Sequence, residues 1–428
     1  MAGDFTTSKL GNGIRLHVRP TEKFKTVVVD LFIHQNLTPE DATRTALLPM
    51  VLRRGCRSLP TALDLTRKLD GLYGAEIRTE ILKKGERQLV SFVLEMVNDR
   101  FLPSREGLLR QGLEVLACVV SDPAVDGDGF RGDYVEQEKV NLRRQIEGLL
   151  NDKRQYAVAR CIQEMCRDEN FGIYKYGRVE DIVGIERTGL YDYYRSLLRE
   201  NPADLFVVGD VDPAEIREAA ENAFGFSRSG GREVKVGPVE HPVSRVRTVV
   251  ERQDVTQGKL TLGLRTNISR RSAGFYPLAV ANGILGGYAH SKLFQNVREK
   301  ASLAYYAYSN LEVTKGLMII GAGIEFANYE LALEIITKQI DELKAGKITE
   351  YEFDATKKAM VKDVRVAADN PPQEISLYLD GLINDRVESA EEKISAIRRV
   401  TREDVIRAAG RIELDTVYFL RNREGGTK

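Results

Sequence analysis

Apolar and polar positions alternate in two short stretches near the start of the chain, Gly13 to Val18 and Val27 to His34, and each predicts a strand. A third alternating stretch, Gly258 to Thr266, opens the second half in the same way. From Asn36 to Gly55, and again from Asn267 to Gly286, the chain runs nineteen residues through a polar turn, an apolar helical stretch and a closing glycine. In the first interval Thr38 is placed to cap the helix and Pro39 to occupy its first position, with Glu40 and Asp41 at the positive end of the dipole. The apolar stretch then contains Pro49, a helix breaker where a buried helix is expected. Further on, Val135, Leu142, Ile146 and Leu149 fall on one face of a long helical pattern.

The two halves also end alike. Ile182, Ile185 and Asp192 have the same spacing as Ile394, Ile397 and Asp404, and each set runs into a β-rich segment. Between the halves, Phe224 to Arg245 is rich in Gly, Ser, Pro and charge and reads as a linker. Three matches in register point to an internal duplication. Strands and helices do not alternate regularly, which argues against a doubly wound parallel sheet. The expected fold is α+β, with two homologous domains, 1–224 and 246–428, joined by a linker at 225–245. Each domain is expected to be an antiparallel sheet packed against helices.

Composition narrows the function. Hydrophobic residues make up 43% and charged residues 29% of 428 residues, enough for sizeable cores in an ordinary globular protein. Lys plus Arg and Asp plus Glu balance at 63 each, so neither nucleic acid nor an anionic membrane surface is an expected partner. The N-terminal segment has no basic and apolar leader pattern, and no apolar run is long enough for a membrane helix. The expected location is cytoplasmic. Cys56, Cys118, Cys161 and Cys166 are too few and wrongly spaced for a disulfide framework or a Cys-x-x-Cys site, so reduced, buried thiols are expected. The four histidines, His17, His34, His241 and His290, stand apart, which makes a His-rich metal site hard to build.

The most specific stretch runs from Ile284 to Ser309, with Gly286-Gly287, Ser291-Lys292-Leu293-Phe294, Arg298-Glu299-Lys300 and Ser302-Leu303-Ala304-Tyr305. It resembles the second domain of the pitrilysin/insulinase-type zinc peptidases, in the branch related to mitochondrial processing peptidase. Ser302 stands where that family has glycine. The resemblance extends over nearly the whole chain and implies two peptidase-like domains. It also implies a zinc motif, His-x-x-Glu-His, on the early helix of the first domain. Two histidines four residues apart ligate zinc from one helical face, the glutamate deprotonates the metal-bound water, and a later glutamate completes the site.

Aligned on Val51 to Cys56, this chain has Ala46, Pro49 and Met50 at the motif positions and Gln145 at the later ligand, with Glu138 at a supporting acidic position. No His-x-x-Glu-His, in either direction, occurs anywhere in the sequence. None of the four replacements supplies a hard, anionic or imidazole ligand or a base. No cofactor is therefore expected, and Pro49 is tolerated because the helix need not hold two imidazoles in register.

The resemblance implies that Arg298 and Tyr305 contact bound peptide and stabilise the reacting carbonyl. A guanidinium and a phenol supply directional donors for that task. Tyr306 is the alternative assignment one residue away. The family also holds peptide as an added strand at a sheet edge, which here corresponds to Tyr73–Leu82. His290 is read as incidental. These implications point to a non-catalytic, peptide-binding subunit of a bacterial heterodimer, partnered by a homologous His-x-x-Glu-His chain that acts on peptide or unfolded polypeptide. The resemblance includes a bacterial group associated with 5-aminopentanol modification of elongation factor P, and precursor-peptide processing fits the same architecture. The alternative is a structural or assembly protein with the peptidase fold, for which a homodimer is one form. No phosphate loop or dinucleotide fingerprint is present, and the Gly321–Phe326 stretch is too short for one.

Overall fold

A computed structural model of the chain describes residues 5–103 and 107–423. The first four residues of the segment read for a leader lie outside it. The chain forms two compact units: Met1–Glu147, Ile173–Lys235 and Ala368–Leu377 make the first, and Gly148–Gly172, Val236–Ala367 and Tyr378–Lys428 the second. The halves expected from the sequence thus exchange a helical segment each. No helix among the described residues is long and apolar enough to cross a membrane.

The sheet of the first unit contains β1 (Thr6–Lys9), β2 (Arg15–Pro20), β3 (Thr26–Asn36), β4 (Glu76–Lys84), β5 (Arg87–Val97) and β6 (Ala203–Gly209) in the order β1-β2-β6-β3-β5-β4. All pairs are antiparallel except β2 with β6, so the sheet is mixed rather than purely antiparallel. Val27, Val29, Leu31 and Ile33 of β3 point into a core with helix α1 (Ala42–Leu52) and the helix Leu108–Ser121. Yet Asp30, Phe32 and His34, on the opposite face of β3, are also buried. Alternation here separates apolar from polar burial, not inside from outside. On that opposite face His17 and His34 hydrogen-bond the two oxygens of Asp204 at 2.8 and 2.7 Å, and Arg15 donates to the same carboxylate at 2.6 Å. Arg19 forms a buried ion pair with Glu374 on the helix Pro371–Ile383, which enters this unit from the end of the sequence.

The second sheet contains β7 (Arg247–Gln253), β8 (Gly258–Arg265), β9 (Ala304–Glu312), β10 (Leu317–Ile324) and β11 (Glu413–Asn422) in the order β9-β10-β8-β11-β7. Only β11 with β7 is parallel. One face packs on a helical layer through Leu260, Leu262, Leu264, Met318 and Ile320. The other is covered by the helix Lys153–Met165, whose Ala157 and Cys161 meet Tyr418 and Leu420. A Cβ on Gly263 would lie 2.7 Å from the Met165 sulfur, so this strand can approach the helix closely only as glycine. After the helix, Glu169 accepts from buried Lys315 and Arg265 at 2.7 and 2.6 Å, pinning the segment to β8 and the loop before β10.

Three local expectations change. The early helix starts at Ala42 with Asp41 as its cap residue, and Thr38–Glu40 form a turn before it. The Asp41 carboxylate makes no capping bond because Arg44 and Gln35 occupy it. The linker has no helix or strand over 225–245, but it is not a loose tether, since Asn36 and Arg87 bind the backbone of Glu233, Val234 and Lys235. Finally, Cys56 and Cys118 form a disulfide, while Cys161 and Cys166 are the free, buried thiols expected of all four. The loop after α1 pairs with residues 122–124 and brings together two cysteines 62 positions apart, which spacing alone could not show.

Burial raises the carboxyl of Asp30 to about 8, although the Ser91 hydroxyl, 2.7 Å away, favours its ionised form. A pKa raised on folding contributes stability below the unfolded value and loses it as pH rises through about 8. Asp30→Asn is therefore expected to be more stable than wild type at pH 9 by more than about 1 kcal/mol, with the difference vanishing towards pH 4. Denaturant titrations across this range measure it.

Candidate functional site

Helix α1 is buried almost all round, so packing rather than amphipathicity holds it. Its outer bonds are side-chain bonds, Thr43 to Asp181 at 2.9 Å and Thr45 to the Tyr193 hydroxyl at 2.5 Å. Pro49 has no N–H for the carbonyl of Thr45, but its own carbonyl accepts from Arg53 at 3.1 Å and the helix resumes. Ala46 is 1% exposed and Met50, one turn later, reaches the surface of a cleft.

That cleft, about 730 Å³, lies wholly within the first unit. Met50 of α1 with Arg53 and Arg54 of the turn just after it form one wall, and Leu65, Thr66 and Leu69 of helix α2 (Ala62–Asp70) form another. Glu138, Asn141 and Gln145 of the helix Gly132–Gly148 line it too, and Glu76, Ile77 and Thr79 of β4 close the side. The structure thus gathers three of the positions aligned with the zinc site, Met50, Glu138 and Gln145, while Ala46 and Pro49 lie beneath them. β4, the strand expected to receive peptide, is an edge strand that pairs only with β5 among the described residues.

Arg54 is the residue that sequence reasoning missed. It forms an ion pair with Glu138, whose second oxygen accepts from Asn141 at 3.0 Å. The side chain of Glu138 is only 7% exposed, and a buried carboxylate left alone would be strongly destabilising. A guanidinium therefore neutralises it. The only sequence signal was the Arg-Arg pair just after α1. Gln145 is exposed beside the Tyr176 phenol. Among the described residues no three His, Cys, Asp or Glu side chains gather where they could hold a metal, and a thioether, an amide and an occupied carboxylate do not fit zinc.

Arg298 and Tyr305 belong to the second unit. Two π-helical segments, Gly283–Gly287 and Phe294–Lys300, carry the motif before β9. Arg298, on the second, lies 4.6 Å above the Phe294 ring and 3.5 Å from Glu299, with 42% of its side chain exposed. Tyr305 sits at a bulge between Ala304 and Tyr306 on the edge strand β9, and at 79% exposure it has no partner among the described residues. Tyr306 differs sharply. It and Tyr308 lie over Gly323 and Gly321, where a Cβ would meet their rings at 2.6 and 2.7 Å, and the Arg154 guanidinium stacks 4.6 and 4.3 Å from their centroids. The glycines of Gly321–Phe326 therefore make room for two tyrosines. His290 bonds Thr356 at 2.9 Å and stacks on Tyr288, a packing role. Ser302 adopts φ +51°, the left-handed region that favours glycine.

Comparison with known proteins agrees with these features. Residues 184–360 match the model of the peptidase M16 inactive domain. The chain is 38% identical over 423 residues to a Bacillus subtilis (strain 168) protein named "Probable inactive metalloprotease YmfF", covering 97% of each.

This chain belongs to the M16 peptidase family.

It is an inactive member, without the zinc motif on which M16 proteolysis depends. A crystal structure of a conserved protein from Enterococcus faecalis V583 superposes with a TM-score of 0.90 at 30% identity, covering 99% of this chain and 100% of that one. A second relative from Bacillus subtilis (strain 168), named "Uncharacterized zinc protease YmxG", is 25% identical over 202 residues, 47% of this chain and 48% of its own.

Two variants test the assignments. The combined variant Ala46→His, Pro49→Glu, Met50→His and Gln145→Glu is expected to retain one equivalent of zinc after desalting, measured by elemental analysis, where wild type retains none. Ser302→Gly should raise stability by about 1 kcal/mol, read from denaturant midpoints.

Proposed function

We propose that this chain is the non-catalytic, peptide-binding subunit of a heteromeric zinc peptidase, supplying Arg298 and Tyr305 to the active site of a homologous His-x-x-Glu-His partner. The observation that carries the reading is Tyr305, a bulky phenol 79% exposed at a bulge on an edge strand, with no partner among the described residues. Tyr306 and Tyr308 next to it are fully engaged by Arg154 and the glycines. The Arg298 guanidinium is likewise more than a third exposed. Together they offer fixed donors to a peptide carbonyl or to the charge that develops on it.

The first unit supports the same reading. Its cleft runs beside the edge strand β4, a position suited to an extended peptide added as a strand, so affinity would come from main-chain pairing without strict sequence preference. Within the cleft, the Glu138 carboxylate is held in an ion pair with Arg54. The reading is supported by one bacterium having both a relative named a probable inactive metalloprotease and a relative named an uncharacterized zinc protease. Cleavage of a precursor peptide or a link to elongation factor P modification is compatible with this division of labour.

The test is reconstitution with the zinc-peptidase chain that co-purifies from the native host. Arg298→Ala and Tyr305→Phe should each lower the partner's kcat on an unstructured peptide by about a hundredfold, while complex formation measured by sedimentation stays unchanged. Unaltered turnover in an intact complex would instead favour a structural or assembly role.

A further inference from the structure

The disulfide joins the cleft to a part of the molecule that the peptide-binding reading does not use. Residues 53–60 connect α1 to α2, which carries Leu65, Thr66 and Leu69, and begin with Arg53 and Arg54, so this one loop links two walls of the cleft. Cys56 lies at its start and Cys118 on the helix Leu108–Ser121, with their Cα atoms 5.7 Å apart. The loop is already placed by backbone bonds, Arg57 to Asp122 at 2.9 Å and Ala124 to Gly55 at 3.3 Å. Gly55 cannot be replaced there, because a Cβ would lie 2.6 Å from the Leu59 carbonyl at a φ of +151°. These backbone bonds hold the start of the loop beside the end of the helix that carries Cys118.

The two sulfurs differ in access. Cys56 is 0% exposed, whereas Cys118 is partly exposed, with the exposed Ser58 hydroxyl 3.2 Å from its sulfur. A hydroxyl at that distance can donate to a thiolate on Cys118 and stabilise it. The remaining thiols, Cys161 and Cys166, are buried in the second unit.

We propose that Cys56 and Cys118 form a reversible thiol–disulfide pair, entered at Cys118 by a low-molecular-weight disulfide, and that oxidation clamps the loop joining the two walls of the cleft. The Cys118 thiolate attacks one sulfur of the small disulfide, forming a mixed disulfide and releasing one small thiolate. Cys56, once deprotonated, attacks the Cys118 sulfur, closes the protein disulfide and releases the second. The protein thiols lose two electrons and two protons, and the small disulfide gains them as two thiols. A small thiol reverses both steps.

The full chain, reduced and then equilibrated with glutathione and glutathione disulfide at graded ratios, tests this by alkylation and peptide mass mapping. The expected result is a Cys56–Cys118 disulfide that forms and is lost as the ratio changes, with Cys161 and Cys166 unmodified. Cys56→Ser should trap glutathione on Cys118, and Cys118→Ser should leave Cys56 unmodified. Time-resolved trapping in the unmutated chain, with the adduct appearing first on Cys118, gives the same order if Cys56→Ser does not fold. Hydrogen exchange over 55–60 should be roughly tenfold faster in the reduced protein. A disulfide that never forms, one that glutathione cannot reduce, first attack at Cys56, or exchange that is equal in both forms would overturn the proposal. None of these readouts depends on peptide binding.

Discussion

Both sheets are buried on two faces, and this demand for cover governs the rest of the architecture. A sheet with one wet face needs a single helical layer; these need something on the second face as well. The second sheet takes the helix Lys153–Met165 from the first half of the sequence, seated against Gly263 and held by Glu169 on Lys315 and Arg265. The first takes the start of the helix Pro371–Ile383 from the last quarter, tied by Glu374 to Arg19. The buried charges sit at these attachments because a buried ion pair adds little net stability but penalises any arrangement that separates its partners.

The cleft of the first unit shows the same economy of charge. Glu138 is buried there, and Arg54, just past the end of α1, neutralises it. The edge strand β4 lines the cleft beside this pair.

Much of this was legible in the residues. Alternation located β3 and β8, and the helical face through Val135 and Leu142 is buried as its spacing required, although Leu149 falls just past the helix end at Gly148. The missing zinc motif needed no structure at all. What stayed hidden is non-local. Nothing in the Arg-Arg of Val51–Cys56 indicates that Arg54 reaches a carboxylate 84 residues away, and nothing in Cys56 and Cys118 indicates a shared loop. Thr38 caps the entry to the helix as its sequence suggested, its hydroxyl accepting from the Asp41 N–H at 3.2 Å and its carbonyl from the Ala42 N–H at 3.0 Å, although the regular helix begins only at Ala42. Tyr305 and Tyr306 look equivalent in sequence, and only the bulge assigns one to solvent and the other to a glycine floor.

The exchange of helices also bears on how the chain is made. A polypeptide leaving the ribosome from its N-terminus normally completes each domain before the next appears. Here Arg19 meets its buried partner only once Glu374 has emerged, and the helix Lys153–Met165 waits for strands almost a hundred residues downstream. Each unit is therefore completed by a segment made out of turn, and a chain stalled midway leaves a buried arginine unpaired and an apolar helix without its sheet.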